Sequence, residues 1–213
     1  MTLCCITGTL ARMASRTPLQ RALGDVAQRR PEPMDAFRLA KRKFLRGERL
    51  DVGQLATELA VSRVTLYRWV GSRDQLLMEV IWSLTEATLR DEWERVRDES
   101  GARVPALLAA YLRAVLAQPG ARKFVLEENE RAMKLLTLAG NGFQPRLVKA
   151  VARYLARDLE DERIATTLTL DELAYASVRI AESFHYLPTI AGAPPDPDGA
   201  ERVLSSLLHK GPG

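Results

Sequence analysis

Leu50-Asp-Val-Gly-Gln-Leu-Ala-Thr-Glu-Leu-Ala-Val-Ser-Arg-Val-Thr-Leu-Tyr-Arg-Trp-Val-Gly-Ser-Arg-Asp-Gln-Leu-Leu77 holds three helix starts within 28 residues. Asp51, with Gln54 three positions on, has the pattern of a capping box. It predicts a short helix through Leu59. Ala60-Val61 follows as a tight turn. Ser62 is a favoured N-cap for a second short helix, Arg63–Val70, and Gly71 ends it. Ser72 with Gln75 repeats the box and opens a long helix from Arg73 to about Arg97. Leu55, Ala56 and Leu59 pack the first helix inward, Val61 plugs the turn, and Leu66 and Val70 anchor the second helix. The small Ala56 lets the two helices approach closely. Arg63, Val64, Thr65, Tyr67 and Arg68 are left facing outward.

Two short helices joined by a tight turn can seat the second one in the major groove of double-stranded DNA. The outward residues suit that place. Arginine forks onto guanine O6 and N7, and Thr and Val methyls meet the thymine methyl. Ser62, Tyr67, Trp69 and Arg73 are spaced for phosphate contacts, which fix register without reading sequence. The helix N-terminus at Ser62 adds backbone N–H groups and a positive dipole. A phosphate role for Arg73 predicts that removing it lowers the salt slope of DNA binding by about one.

Working outward, charge agrees. Residues 1–70 carry 13 Lys and Arg against 6 Asp and Glu, and residues 71–213 carry 18 against 21. A basic N-terminal third on a slightly acidic body is the footprint of a DNA-binding head, although a basic surface alone also suits RNA or anionic lipid. Residues 1–32 read as a flexible basic tail, ending in Arg29-Arg30-Pro31-Glu32-Pro33, that is either disordered or an arm on DNA. Met1–Leu10 is too short and polar for a signal peptide. The adjacent Cys4 and Cys5 cannot staple a fold, which predicts a reduced, cytoplasmic protein. Beyond Pro33, Phe37, Ala40 and Phe44 form an apolar helical stripe, with Gly47 as terminator.

The rest of the chain is helical by period. Val104–Gln118 is predicted to stop at Pro119-Gly120. Ala121–Leu136 breaks near Asn129, and Gly140–Gly142 forms a loop. Phe143–Leu159, Thr169 to about Leu187, and Ala200–Leu208 complete the pattern. No run of about 18 uncharged apolar residues exists to span a membrane. No metal-ligand spacing, Gly-rich phosphate loop or nucleophile motif appears, so neither a cofactor nor catalysis is expected.

The run resembles the TetR family of bacterial regulators over residues 35–80, through Leu55-Ala56, Val61-Ser62, Thr65-Leu66-Tyr67, Arg73 and Leu76-Leu77. Ala60 stands where the family commonly has glycine, which costs about 1 kcal/mol if the residue is left-handed. Glu48 stands where an aromatic is common. The resemblance implies an all-α chain. Its flexible tail (1–32) precedes a three-helix helix-turn-helix DNA-binding domain (33–78) and a larger helical ligand-binding and dimerisation domain (79–213). It also implies DNA contacts from Thr65, Tyr67, Trp69 and Arg73, a homodimer on a palindromic operator, and a small-molecule effector that releases it, as in a repressor. Two heads about 34–36 Å apart read such a palindrome. The apolar stripes Leu173, Ser177, Ile180, Ala181, Phe184 and Val203, Leu204, Leu207 are expected to form a four-helix bundle across the two-fold axis, or else to serve the subunit's own core. Trp82, Tyr111, Phe124, Glu127, Arg131, Tyr175, Arg179 and Glu182 are the pocket candidates. The pairs Glu127/Arg131 and Arg179/Glu182 read more readily as salt bridges than as ligand contacts. The stretch Arg179–Phe184, Tyr186 and Ala191-Gly192 is similar to a lactone-responsive subgroup linked to quorum-signal degradation, which implies an amphipathic lactone or acyl ligand. The alternative is a DNA-coating or protein-interaction helix-turn-helix protein with no ligand response.

Overall fold

The computed structural model describes residues 17–20 and 30–208. Most of the expected tail, including Cys4 and Cys5, lies outside the described residues. Eleven α-helices and one 3-10 turn (Ala139–Asn141) make up the regular structure among the described residues, and no strand occurs there. No helix among them is long and apolar enough to cross a membrane.

Helix α1 (Pro33–Leu45) starts with proline, whose missing N–H costs nothing in a first turn. It ends before Gly47, at φ +70°. Helices α2 (Val52–Glu58) and α3 (Arg63–Val70) follow the cap signals. Asp51 Oδ1 accepts from the Gln54 amide at 2.8 Å, and Ser62 Oγ accepts from the Thr65 amide at 3.0 Å. Ala60 takes the left-handed conformation, φ +52°, that the turn demands. Ser72 caps α4 (Arg73–Arg95), a continuous helix of 23 residues.

The larger part stacks α5 (Arg103–Ala117), α6 (Pro119–Glu127), α7 (Asn129–Thr137), α8 (Phe143–Glu160), α9 (Leu170–His185), the short α10 (Leu187–Ile190) and α11 (Pro197–Leu207). The break near Asn129 is present. Pro119, expected to stop the preceding helix, also opens the next one, as Pro188 and Pro197 sit in the first turns of theirs, because proline fits the first turn. Helix α5 lacks a capping side chain of its own. Asp158 of α8, fully buried, supplies the cap by accepting the Arg103 and Val104 amides at 2.8 and 3.0 Å. Arg103 Nε closes on the same carboxylate at 2.7 Å, and its guanidinium lies over the Trp93 ring. This ties the start of α5 to the last turns of α8.

Candidate nucleic-acid interface and ligand cavity

On α3, Leu66 is fully buried while Val64 is 78% exposed. Val64, Tyr67 and Arg68 stand at i, i+3 and i+4, so they share one exposed face. Arg68 makes no ion pair among the described residues. Thr65 borders this face and its hydroxyl pairs with that of Ser62 at 2.9 Å. The Arg63 guanidinium folds back over Gly53 of α2, beside the Asp51 carboxylate. The Gln54 amide, then the Gly53 amide and the Arg63 charge, hold Asp51 below the usual carboxylate range. Trp69 is half-buried and shares a surface groove with Pro33, Met34 and Phe37.

Arg73 is also tied into the fold. Its Nε donates to the Leu50 carbonyl at 2.6 Å. The side chain sits among Phe44, Gly47, Lys123 and Glu128, at the junction with the larger part. Partial burial, and next the nearby Arg131 charge, lower its pKa. Through Nε it holds the end of the α1–α2 loop.

The same junction contains an unusually close helix approach. A Cβ on Gly120 would lie 1.6 Å from the Phe44 carbonyl oxygen, so only glycine lets the first turn of α6 abut the last turn of α1. Gln118 Nε2 donates to the Leu45 carbonyl at 2.8 Å and Lys123 Nζ to that of Gly47 at 3.1 Å.

Behind this contact lies a mainly apolar cavity of about 110 Å³, lined from α1 and from α4 to α9. Phe44 forms part of its wall, edge-on to Phe124 with ring centroids 6.4 Å apart. Thr85, Tyr111, Glu182, His185 and Tyr186 are polar members of the lining. The Thr85 and Tyr111 hydroxyls pair at 3.1 Å. Burial pushes Tyr111 up to about 12 and His185 down to about 4. Burial also raises Glu182 and Tyr186. His185 Nδ1 is buried with no hydrogen-bond partner.

Of the eight expected pocket residues, Tyr111, Phe124 and Glu182 line this cavity. The other five do not. Trp82 stacks edge-on against Phe143, with Arg146 over its face. Glu127 is exposed at the end of α6. Arg131 pairs with Asp74 and Glu128 on the surface. Tyr175 is 55% exposed. Arg179, 44% exposed, grips Glu182 at 2.5 Å from the outer side. Polar side chains on amphipathic helices find partners at the solvent edge, where charge is cheapest to keep. His185, Thr85 and Tyr186 were missed because only packing across helices shows which polar groups turn inward.

The two stripes expected at a dimer face also divide. Leu173, Ser177, Ala181 and Leu204 are buried within the single chain and belong to its core, where α9 packs on α11. Ile180 and Phe184 are half-buried, while Val203 and Leu207 are 40% and 61% exposed. Tyr175 joins this outer set.

Residues 100–209 match the model of the tetracyclin repressor-like C-terminal domain. The chain is similar to a solved structure described as the R. erythropolis transcriptional repressor QsdR from the TetR family. The TM-score is 0.74 at 28% identity, covering 83% of this chain and 93% of that one. No curated protein matches it. A matched C-terminal domain covering half the chain, a structural likeness over 83% of it and the helix-turn-helix geometry agree: the chain belongs to the TetR family of transcriptional regulators.

Proposed function

We propose that the chain binds a palindromic operator in double-stranded DNA as a homodimer, and that a small amphipathic molecule in the cavity releases it, so that it acts as a repressor in the cytoplasm. Residues 33–78 form the DNA-binding domain and 79–213 the ligand-binding and dimerisation domain. Val64, Tyr67 and Arg68 enter the major groove, with Ser62, Thr65 and Trp69 at its edge. Arg63 leaves Asp51 to join them when phosphates or bases compete for it. Ile180, Phe184, Val203 and Leu207, with Tyr175, face the second subunit. The reading requires no catalytic step and no cofactor.

One observation carries the ligand response: Phe44, a residue of the first helix of the DNA-binding part, is a wall of the cavity. A guest that displaces Phe44 or its partner Phe124 alters the seat of the head directly. Ligand and DNA then favour different placements of the head, and each weakens the other by the same factor.

The test is selection of duplexes from a random-sequence pool, followed by binding competition against bulk DNA and sedimentation of the free protein. A recovered palindrome, bound by two chains at least about a thousandfold more tightly than bulk DNA, fits the reading. Equal affinity for every duplex would favour a DNA-coating protein instead.

A further inference from the structure

We infer that the polar end of the cavity, where His185, Tyr111 and Thr85 meet the apolar walls, selects a compact uncharged molecule carrying one hydroxyl group. The inference rests on the reading of this cavity as the effector site. Four observations support it.

The first is an unmade bond. His185 is 7% exposed, lines the cavity, and leaves Nδ1 without a partner. A buried nitrogen in that state costs stability, and a guest that bonds it recovers the loss. The second is charge. Burial keeps the imidazole neutral near pH 7, so it offers no cation to a carboxylate ligand. Glu182 stands in the same wall, already held by Arg179 from the surface side. An anionic guest would meet this carboxylate while the Arg179 charge stays engaged on its far side, and a cationic guest would compete with an arginine that is already in place.

The third is hydrogen-bond chemistry. In the Thr85–Tyr111 pair one hydroxyl donates and the other accepts, which leaves the acceptor's own O–H to donate elsewhere. A ligand hydroxyl can accept from that O–H while donating to an unprotonated Nδ1. If Nδ1 carries the proton, the ligand hydroxyl accepts from it. A hydroxyl therefore serves either tautomer. The fourth is size. The cavity holds about 110 Å³, somewhat less than an engineered apolar cavity of about 150 Å³ that admits benzene. A single six-membered ring with one small substituent is therefore the upper limit of that scale.

The full chain, labelled with 15N, is titrated at pH 7 with benzene, phenol, benzoate and benzylammonium. Dissociation constants come from ligand saturation transfer, and the location from the imidazole signals of the two histidines, assigned with His209→Gln. Benzene and phenol are expected to bind and to move the His185 signals, while benzoate and benzylammonium bind at least about tenfold more weakly than phenol. In His185→Leu the ratio of phenol to benzene affinity is expected to fall about tenfold, the worth of one neutral hydrogen bond. Comparing ratios cancels the difference in hydration of the two probes. Tyr111→Phe should lower the same ratio severalfold. An unchanged ratio in both variants would overturn hydroxyl selection while leaving the cavity a binding site. Tighter binding of either charged probe, or binding that leaves His185 unmoved, would overturn it as well. No binding by any of the four would sink this inference and the effector reading together. Binding that fits the inference but never alters DNA affinity would sink the effector reading alone.

Discussion

Replacing Gly120 with alanine tests the junction between head and cavity. The new Cβ would lie 1.6 Å from the Phe44 carbonyl oxygen and 2.7 Å from its carbonyl carbon, whereas real Cβ contacts stay beyond 3.0 Å. Both obstacles are backbone, so no rotamer relieves them. Helix α6 must withdraw from α1 until the gap roughly doubles. Such overpacking costs about 1–3 kcal/mol. The withdrawal also stretches the Gln118–Leu45 and Lys123–Gly47 hydrogen bonds, each worth about 1 kcal/mol when made. The gain from placing alanine in a helix offsets at most about 1 kcal/mol. The expected net loss is about 2 kcal/mol, or a Tm lowered by about 4–8 °C for a chain of this length. Chemical denaturation measures the first quantity and calorimetry the second. Anisotropy with the selected duplex should show affinity lowered at least about fivefold, the smaller end of common coupling energies. Gly140→Ala is the control, because a Cβ there meets nothing within 4 Å. Unchanged stability in Gly120→Ala would refute the close approach. Lost stability with unchanged DNA affinity would refute the route from α6 to the head.

Other perturbations follow the same geometry. His185→Leu should make the unliganded protein more stable by about 1–3 kcal/mol, because it removes an unpartnered buried nitrogen. It should also remove an acid sensitivity: the unfolded chain protonates His185 near pH 6.5 and the folded one near 4. Wild type should therefore lose about 3 kcal/mol between those values that the variant keeps, as read by urea melts across pH. Asp158→Ala leaves the α5 amides without their acceptor and Arg103 with Asp161 alone, and should cost about 1–3 kcal/mol in a urea melt. Leu207→Glu, at a position 61% exposed in the single chain, should shift sedimentation toward monomer without lowering secondary structure; a variant that stays dimeric would place the interface elsewhere.

The head was legible because its determinants are local. Asp51, Ser62 and Ser72 each sit three residues from the amide they cap, and each does so in the fold. Even the cost of Ala60 follows from counting residues through the turn. The cavity was not legible, because Phe44 reads as ordinary core from its own helix and becomes a cavity wall only when α6 arrives. Gly120, read as a stop signal after Pro119, is a point of contact between helices distant in sequence. Arg179 and His185 lie six residues apart on α9, one paired at the surface and one buried without a partner. Periodicity places both on a helix; only the packing of α5 and α8 against α9 decides which one turns inward.

Arg73 shows how the two kinds of information combine into a mechanism. The loop between α1 and α2 is held from two sides. At its start, α6 grips the Leu45 and Gly47 carbonyls through Gln118 and Lys123. At its end, α4 grips the Leu50 carbonyl through Arg73 Nε. Both gripping helices also line the cavity, α4 through Ile81, Leu84, Thr85 and Thr88, and α6 through Ala121 and Phe124. On the proposed ligand response, a guest that spreads α4 from α6 would pull the loop at both ends and turn α2 and α3 as one piece, since the two pack on each other through Leu55, Ala56 and Leu66. On this account Arg73 transmits rather than anchors. Arg73→Ala should lower Tm and DNA affinity while leaving the slope of log K against log salt unchanged, whereas Arg68→Ala should cost about 1–3 kcal/mol on the selected duplex and relax the base preference at one position, as loss of a base contact does. A slope that drops by about one in Arg73→Ala would restore its phosphate contact and leave α6 as the principal grip on the head.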